Sequence, residues 1–187
     1  MMDWINSIKE YIPYNEQESK DKKLILNAIK HYDNLLTREN IIMHITSSGY
    51  VINKKRDKVL MIYHKIYNSW AWTGGHADGD EDLLYVAIKE AQEETGIENV
   101  TAVTPNIFSL DVLNVNGHIK RGEYVSCHLH LNVTYLLEAD ENDILTINEE
   151  ETEGVRWLPI DNLEDYCSEE YMVKHVYNKL NDKVKMI

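Results

Sequence analysis

The sequence is short of basic residues, of cysteine and of long apolar runs. Nineteen Lys and Arg stand against 32 Asp and Glu, a formal net charge of −13 over 187 residues. So acidic a chain has little non-specific attraction for nucleic acid, because neutralising phosphates takes a surplus of Lys and Arg. No nucleic-acid partner is expected. If the ligand is itself a phosphate compound, something other than net charge must hold it, and a divalent cation is the obvious agent. Cys127 and Cys167 are the only cysteines. They lack a CxxC spacing and are too few for a disulfide scaffold, so a reduced, cytoplasmic protein is expected. No apolar run approaches the ~20 residues that span a bilayer. Residues 1–10 lack the basic-then-apolar plan of a signal peptide, and no membrane partner is expected. Three prolines (Pro13, Pro105, Pro159) punctuate the chain, without internal repeats or low-complexity tracts.

What is present is ordinary globular composition, 43% hydrophobic and 27% charged, at a length suited to one domain with an appendage. Asn15-Glu16-Gln17-Glu18 has the form of a capping box. Leu24, Ala28, Tyr32 and Leu35 then recur at helical spacing, which predicts a helix over residues 16–36. Residues 41–53 and 59–64 read as a strand hairpin around the polar turn Lys54-Lys55-Arg56-Asp57. A short strand over 70–73 leads into Gly74-Gly75. Residues 82–95 read as a helix closed by Gly96. Two longer strands, 100–115 and 124–137, flank the polar segment 116–123. An acidic stretch over 138–153 reads as loop, with 144–147 a short extended piece, and a last strand covers 155–158. Ser168 is placed to cap a final helix, with Glu169 and Glu170 in its first turn. Strands and helices mix without regular alternation, which predicts a mixed sheet with helices on its faces.

The most informative segment is GGHADGDEDLLYVAIKEAQEETGI, residues 74–97. At about 100° per residue, Glu93 and Glu94 fall within about 60° of Glu90, so three carboxylates share one side of a turn. Like charges at these spacings repel by a few tenths of a kcal/mol. A hard divalent cation reverses that sign, because Mg²⁺ and Mn²⁺ take carboxylate oxygens. An acidic helix face alone would be read as solvated surface; its surroundings change the reading. Gly75 precedes Glu81 by a five-residue gap, Lys89 abuts Glu90, and Gly96 and Ile97 close the pattern.

This segment resembles the Nudix box, G-x5-E-x7-R-E-U-x-E-E-x-G-U with U aliphatic. The matching positions are Gly75, Glu81, Lys89, Glu90, Ala91, Glu93, Glu94, Gly96 and Ile97, with Lys89 where the family has Arg. Trp70 stands four residues before Gly74, similar to the family's W-x-x-P-G-G, with Thr73 in place of Pro. Trp157-Leu158-Pro159 resembles a strand end late in that fold. The resemblance implies a Nudix-like α/β/α sandwich with a mixed sheet, here with an N-terminal helical extension (1–40) and a domain over 41–187 that ends in a C-terminal helix. It implies metal ligation of Mg²⁺ or Mn²⁺ by Glu90, Glu93 and Glu94 with the carbonyl near Gly74 or Gly75, and supporting roles for Glu81 and Lys89. The implied substrate is a small nucleotide-type diphosphate. Proton transfer falls to Glu93 or Glu94 in the box, or to Glu150 or Glu151 in the later acidic loop, where Glu149 and Glu153 are further candidates.

His76 and Arg121 are the substrate-binding candidates, although a backbone-bonded loop histidine and a solvated loop arginine are the plainer readings. His128 and His130 share one strand face, where packing beside aromatic residues is expected. Lys120 reads as a solvated loop charge, and Trp70 and Trp72 as sheet core. Two alternatives to hydrolysis stand. Trp72-Thr73-Gly74-Gly75-His76 followed by Glu81 is similar to the Cys-Gly-His element of isopentenyl diphosphate isomerases, with Gly74 where the reactive thiol would be. A non-catalytic nucleotide-binding module is the other. The N-terminal helix is open to two roles, shaping the pocket or forming a homodimer interface.

Overall fold

The computed structural model describes residues 3–65, 68–120, 122–147 and 152–187. Two helices open it, α1 (Trp4–Glu10) and α2 (Glu16–His31). They are followed by β1 (Met43–Asn53), β2 (Lys58–His64), β3 (Ser69–Ala71), β4 (Thr73–His76) and α3 (Leu83–Thr95). Next come β5 (Thr101–Ala102), β6 (Ser109–Val115), β7 (His118–Lys120), β8 (Glu123–Val125), β9 (His128–Ala139) and β10 (Thr152–Pro159). The chain ends in helical segments α4 (Glu170–Met172), a π-helical turn (Val173–Tyr177) and α5 (Asn178–Val184).

The main sheet runs β10-β2-β1-β9-β5, with β3 on β2, β4 on β1 and β6 on β9; β7 and β8 form a separate hairpin. β1 and β9 are parallel, and the other pairs are antiparallel. The sheet is therefore mixed. Successive side chains on a strand point to opposite faces, and β1 sorts accordingly. Ile45 and Val51 join Ile8, Ile25, Ala28, Leu83, Ala87 and Ala91 in one core, beneath α1, α2 and α3. Tyr50 and Ile52 join Val176, Tyr177, Leu180 and Val184 in a second core, beneath the C-terminal helical segment. The result is the expected α/β/α sandwich.

Several element boundaries differ from expectation. α2 stops at His31 and Tyr32 turns to extended backbone at φ −132°, because Asp33 and Asn34 are poor helix formers that favour turns. Leu35 is buried nonetheless, within the connecting segment, and its carbonyl accepts the Ile45 N–H at 2.7 Å. α1 was not expected; the Asp3 side chain caps it by accepting from the Ile5 N–H. The single strand expected over 100–115 is two, β5 and β6, separated around Pro105, which has no N–H to give a ladder. The described residues 144–147 form no strand. Ser168 does not cap the last helix: its hydroxyl donates to the Asn68 carbonyl at 3.1 Å, and Glu169 occupies the cap position without a side-chain bond.

The N- and C-terminal helices meet through a buried ionic group. Asn15 accepts from the Glu18 N–H, half of the expected capping box. Glu18 does not reciprocate. Its carboxylate is fully buried and accepts from the Tyr11 hydroxyl at 2.5 Å and the Tyr14 N–H at 2.7 Å. Lys179 and Lys183 each place Nζ 3.2 Å from it, and Lys179 also lies 2.6 Å from Asp111. Burial alone would raise the Glu18 pKa, but these hydrogen bonds and ammonium groups hold it below the ordinary 4.5.

Candidate active site

The site is built where α3 crosses β4. Asp82 caps the helix by accepting the Tyr85 N–H at 3.0 Å, and Gly96 closes it in the left-handed region at φ 69°. Leu83, Val86, Ala87, Ala91 and Thr95 are buried on the sheet side. On β4, Gly74 and Gly75 pair with Ser48 and Ser47 of β1. A Cβ on Gly74 would stand 2.4 Å from Ser48 Oγ, and one on Gly75 only 2.3 Å from the Glu90 carboxyl carbon. The two glycines therefore let helix and strand close up until the Glu90 carboxylate lies on the Gly75 backbone. Glu94, 5% exposed, accepts the Gly74 N–H at 3.0 Å. Both carboxylates line a cleft of about 790 Å³.

Glu93 is placed differently. Its side chain is 56% exposed, it is absent from the cleft lining, and it pairs with Lys89 at 3.8 Å. The helix thus divides the acidic triplet: Glu90 and Glu94 face the cleft, and Glu93 faces solvent. Glu81 is exposed just ahead of the helix cap. Glu153 is exposed on β10. Arg121, Glu149, Glu150 and Glu151 lie outside the described residues. Lys120 lines the cleft from the β7–β8 hairpin.

The floor of the cleft is one face of the sheet, with His44, Thr46 and Ser48 from β1 beside His128, His130 and Asn132 from β9. Asn132 Oδ1 accepts from Thr46 Oγ1 at 2.8 Å and Ser48 Oγ at 2.9 Å, which fixes the floor next to Gly74. Four histidines gather beyond it. His44 stacks with His76, His128 and His130 at ring separations of 4.9–5.1 Å, and His76 meets His130 edge-on at 5.1 Å. Among the described residues, the rings that His128 and His130 meet are imidazoles. Burial first, then neighbouring imidazoles, pushes His130 down to about 2 and His76 down to about 4; burial also lowers His44. These rings are neutral near pH 7. Trp72 is buried at the cleft wall, edge-on to Tyr177 at 5.7 Å, as expected of sheet core.

Three contributors escape sequence reasoning. His44 sits alone in the apolar stretch Ile41-Ile42-Met43-His44-Ile45, and its strand alternation with Thr46 and Ser48 was the available signal. Arg38 and Asp78 form a forked ion pair at the cleft edge, Nε to Oδ1 and Nη2 to Oδ2 each 2.8 Å. They are 40 residues apart, and only the turn after β4 brings them together.

The carboxylate set suits a hard divalent cation: Glu90 occupies a cradle that a Cβ at position 75 would fill, and Glu94 adds a second carboxylate tied to the Gly74 N–H. Comparison with known proteins identifies the family. A family model described as NUDIX domain matches residues 43–177. A protein from Pelagibacter ubique named RNA pyrophosphohydrolase is 30% identical over 145 residues, covering 74% of this chain and 90% of that protein. A probable DHNTP pyrophosphohydrolase from Lactococcus lactis subsp. cremoris is 27% identical over 141 residues, 75% of this chain and 81% of that protein. In fold, a solved NUDIX-family hydrolase structure from Clostridium perfringens is similar at a TM-score of 0.54 and 18% identity, covering 76% of this chain and 97% of that one.

Proposed function

The chain belongs to the NUDIX family and is a hydrolase acting on pyrophosphate bonds, and from that premise we propose a Mg²⁺- or Mn²⁺-dependent enzyme for small nucleotide-type diphosphates. The observation that carries the proposal is the pairing of Glu90 and Glu94 at the cleft, one laid on Gly75 and the other tied to the Gly74 N–H. In this reading Glu90 and Glu94 hold the ion with a carbonyl of Gly74 or Gly75, and Glu93 takes part from the solvent side. When bound, the ion neutralises phosphate oxygens and lowers the pKa of a water. The chain's own residues do the rest. The Gly74 N–H fixes the Glu94 carboxylate, the Asn132 bonds keep the floor rigid, and His76 and Lys120 face the substrate space. Arg121 is a further substrate contact in this proposal. The base is one of Glu93, Glu94, Glu150 and Glu151. Replacing each by Gln sorts them: at a position that does not hold the ion, loss of the base lowers kcat while leaving metal affinity unchanged, whereas Glu94→Gln is expected to lower both.

The cleft volume falls within the range typical of small-ligand sites, roughly 300–1,000 Å³, which supports a nucleotide over a macromolecule. An isomerase reading finds no cysteine among the described residues that line the cleft: position 74 is glycine, burial pushes the Cys167 thiol up to about 12, and Cys127, although exposed, is not part of the lining. The test is phosphorus NMR with Mg²⁺ or Mn²⁺ and a panel of ADP-ribose, NADH, dinucleoside polyphosphates, nucleoside triphosphates and isopentenyl diphosphate. Cleavage of a pyrophosphate bond that Glu94→Gln abolishes supports the proposal; isomerisation, or inertness toward the whole panel, rejects it.

A further inference from the structure

Histidine is the residue that the carboxylate chemistry leaves unexplained. Three strands bring His44, His76 and His130 together, and one ring nitrogen from each lies within 4.8 Å of the other two. The ladder sets this up: on the central parallel pair His44 stands opposite His130, and on the antiparallel pair His76 stands opposite Thr46. All three residues line the cleft.

A second observation is independent of that spacing. His44 is 4% exposed, and its Nδ1 lies 3.1 Å from the Asn40 carbonyl. Giving Nδ1–H to that carbonyl leaves a lone pair on Nε2, and Nε2 is buried without a hydrogen-bond partner among the described residues. A backbone carbonyl on one ring nitrogen, orienting the other, is the usual support for a metal-bound histidine. His128 repeats it, with Nδ1 2.9 Å from the Ser126 carbonyl, and its Nε2 stands 3.2 Å from His130 Nε2.

We propose that His44, His76 and His130 bind a late first-row divalent cation, zinc being the expected ion, at a second metal site on the cleft floor. Imidazole favours zinc and its neighbours, whereas Mg²⁺ and Mn²⁺ favour the oxygens of Glu90 and Glu94. The two sites therefore select different ions, and this one does not depend on the carboxylate reading. Three protein nitrogens leave a fourth position, open to water or to a phosphate oxygen in the cleft. His128, at the edge of the group, stabilises the site through His130.

The full chain, stripped with EDTA and dialysed, is titrated with ZnCl₂ by calorimetry and with CoCl₂ by absorption. One equivalent of zinc and the visible absorption bands of tetrahedral cobalt are expected. Ring-nitrogen NMR shifts of the unaltered protein should move at His44, His76 and His130. His130→Asn and His76→Gln should each weaken zinc binding at least tenfold, His128→Asn less, and Glu94→Gln should leave it unchanged. Absence of zinc uptake by the unaltered protein overturns the proposal. So does binding that Glu94→Gln abolishes, or zinc uptake without movement of these three rings.

Discussion

At the scale of single residues, the site depends on what position 75 lacks. The atom that a Cβ there would meet is the end of a flexible Glu90 side chain, so Gly75→Ala should fold with little change in Tm while displacing the carboxylate. A displacement near 1 Å costs about a hundredfold in rate, and kcat/KM in Mg²⁺ should fall by about that much. Retention of full activity would detach Glu90 from the reaction. Lys89 carries less. Its pair with Glu93 is 3.8 Å long with both partners about half exposed, and such i,i+4 pairs contribute about 0.3–0.5 kcal/mol. Lys89→Arg should keep or raise turnover, and a tenfold loss in steady-state rate would contradict a supporting role. The spacing of the glutamates and glycines was legible in the sequence. That Glu93 leaves the cleft was not, because 100° per residue gives angles on a helix but not the line where strand β4 passes under it. His44 was hidden by the same limit, since its partners arrive from two other strands.

At the scale of elements, α3 and most strands were legible because hydrophobic period and turn chemistry agree there. The overrun of α2 arose from Leu35, whose burial has a tertiary cause and mimics helical spacing. The joining of α2 to the C-terminal helix was illegible: nothing local to Glu18 announces Lys179 and Lys183, more than 160 residues away. Their union makes a sharp prediction. Glu18, Lys179 and Asp111 are almost wholly buried, and removing one charge from such a group costs about 3–5 kcal/mol. Glu18→Gln should lower stability by about that much in urea unfolding at pH 7, while Glu16→Gln, on the exposed face, should not. The pH dependence has a definite sign. Glu18 is held below its ordinary 4.5, so its contribution is present above that value and is lost as pH falls through the folded value. Unfolding free energy should decline below pH 4.5, and Glu18→Gln should flatten the decline.

For the whole molecule, a net charge of −13 sets the terms on which an anionic substrate arrives. The general field repels a polyphosphate, and added salt screens that repulsion over a Debye length of about 10 Å at 0.1 M. With free Mg²⁺ fixed, kcat/KM for the best nucleotide substrate should rise from 10 to 150 mM KCl, roughly twofold or more; a steep fall would mean that the cleft field dominates and is attractive. The charge balance was legible from composition alone, whereas the cleft depends on the stacking of two helical layers on one sheet. The central claim is that Glu90 and Glu94 grip a divalent ion beside Gly74 and Gly75. Calorimetric titration of the EDTA-stripped chain with Mg²⁺ and Mn²⁺, alone and with a non-hydrolysable nucleotide diphosphate, tests it most directly. The account predicts uptake by the unaltered protein that Glu94→Gln weakens at least tenfold; equal uptake by both proteins, or none by either with nucleotide present, would contradict it.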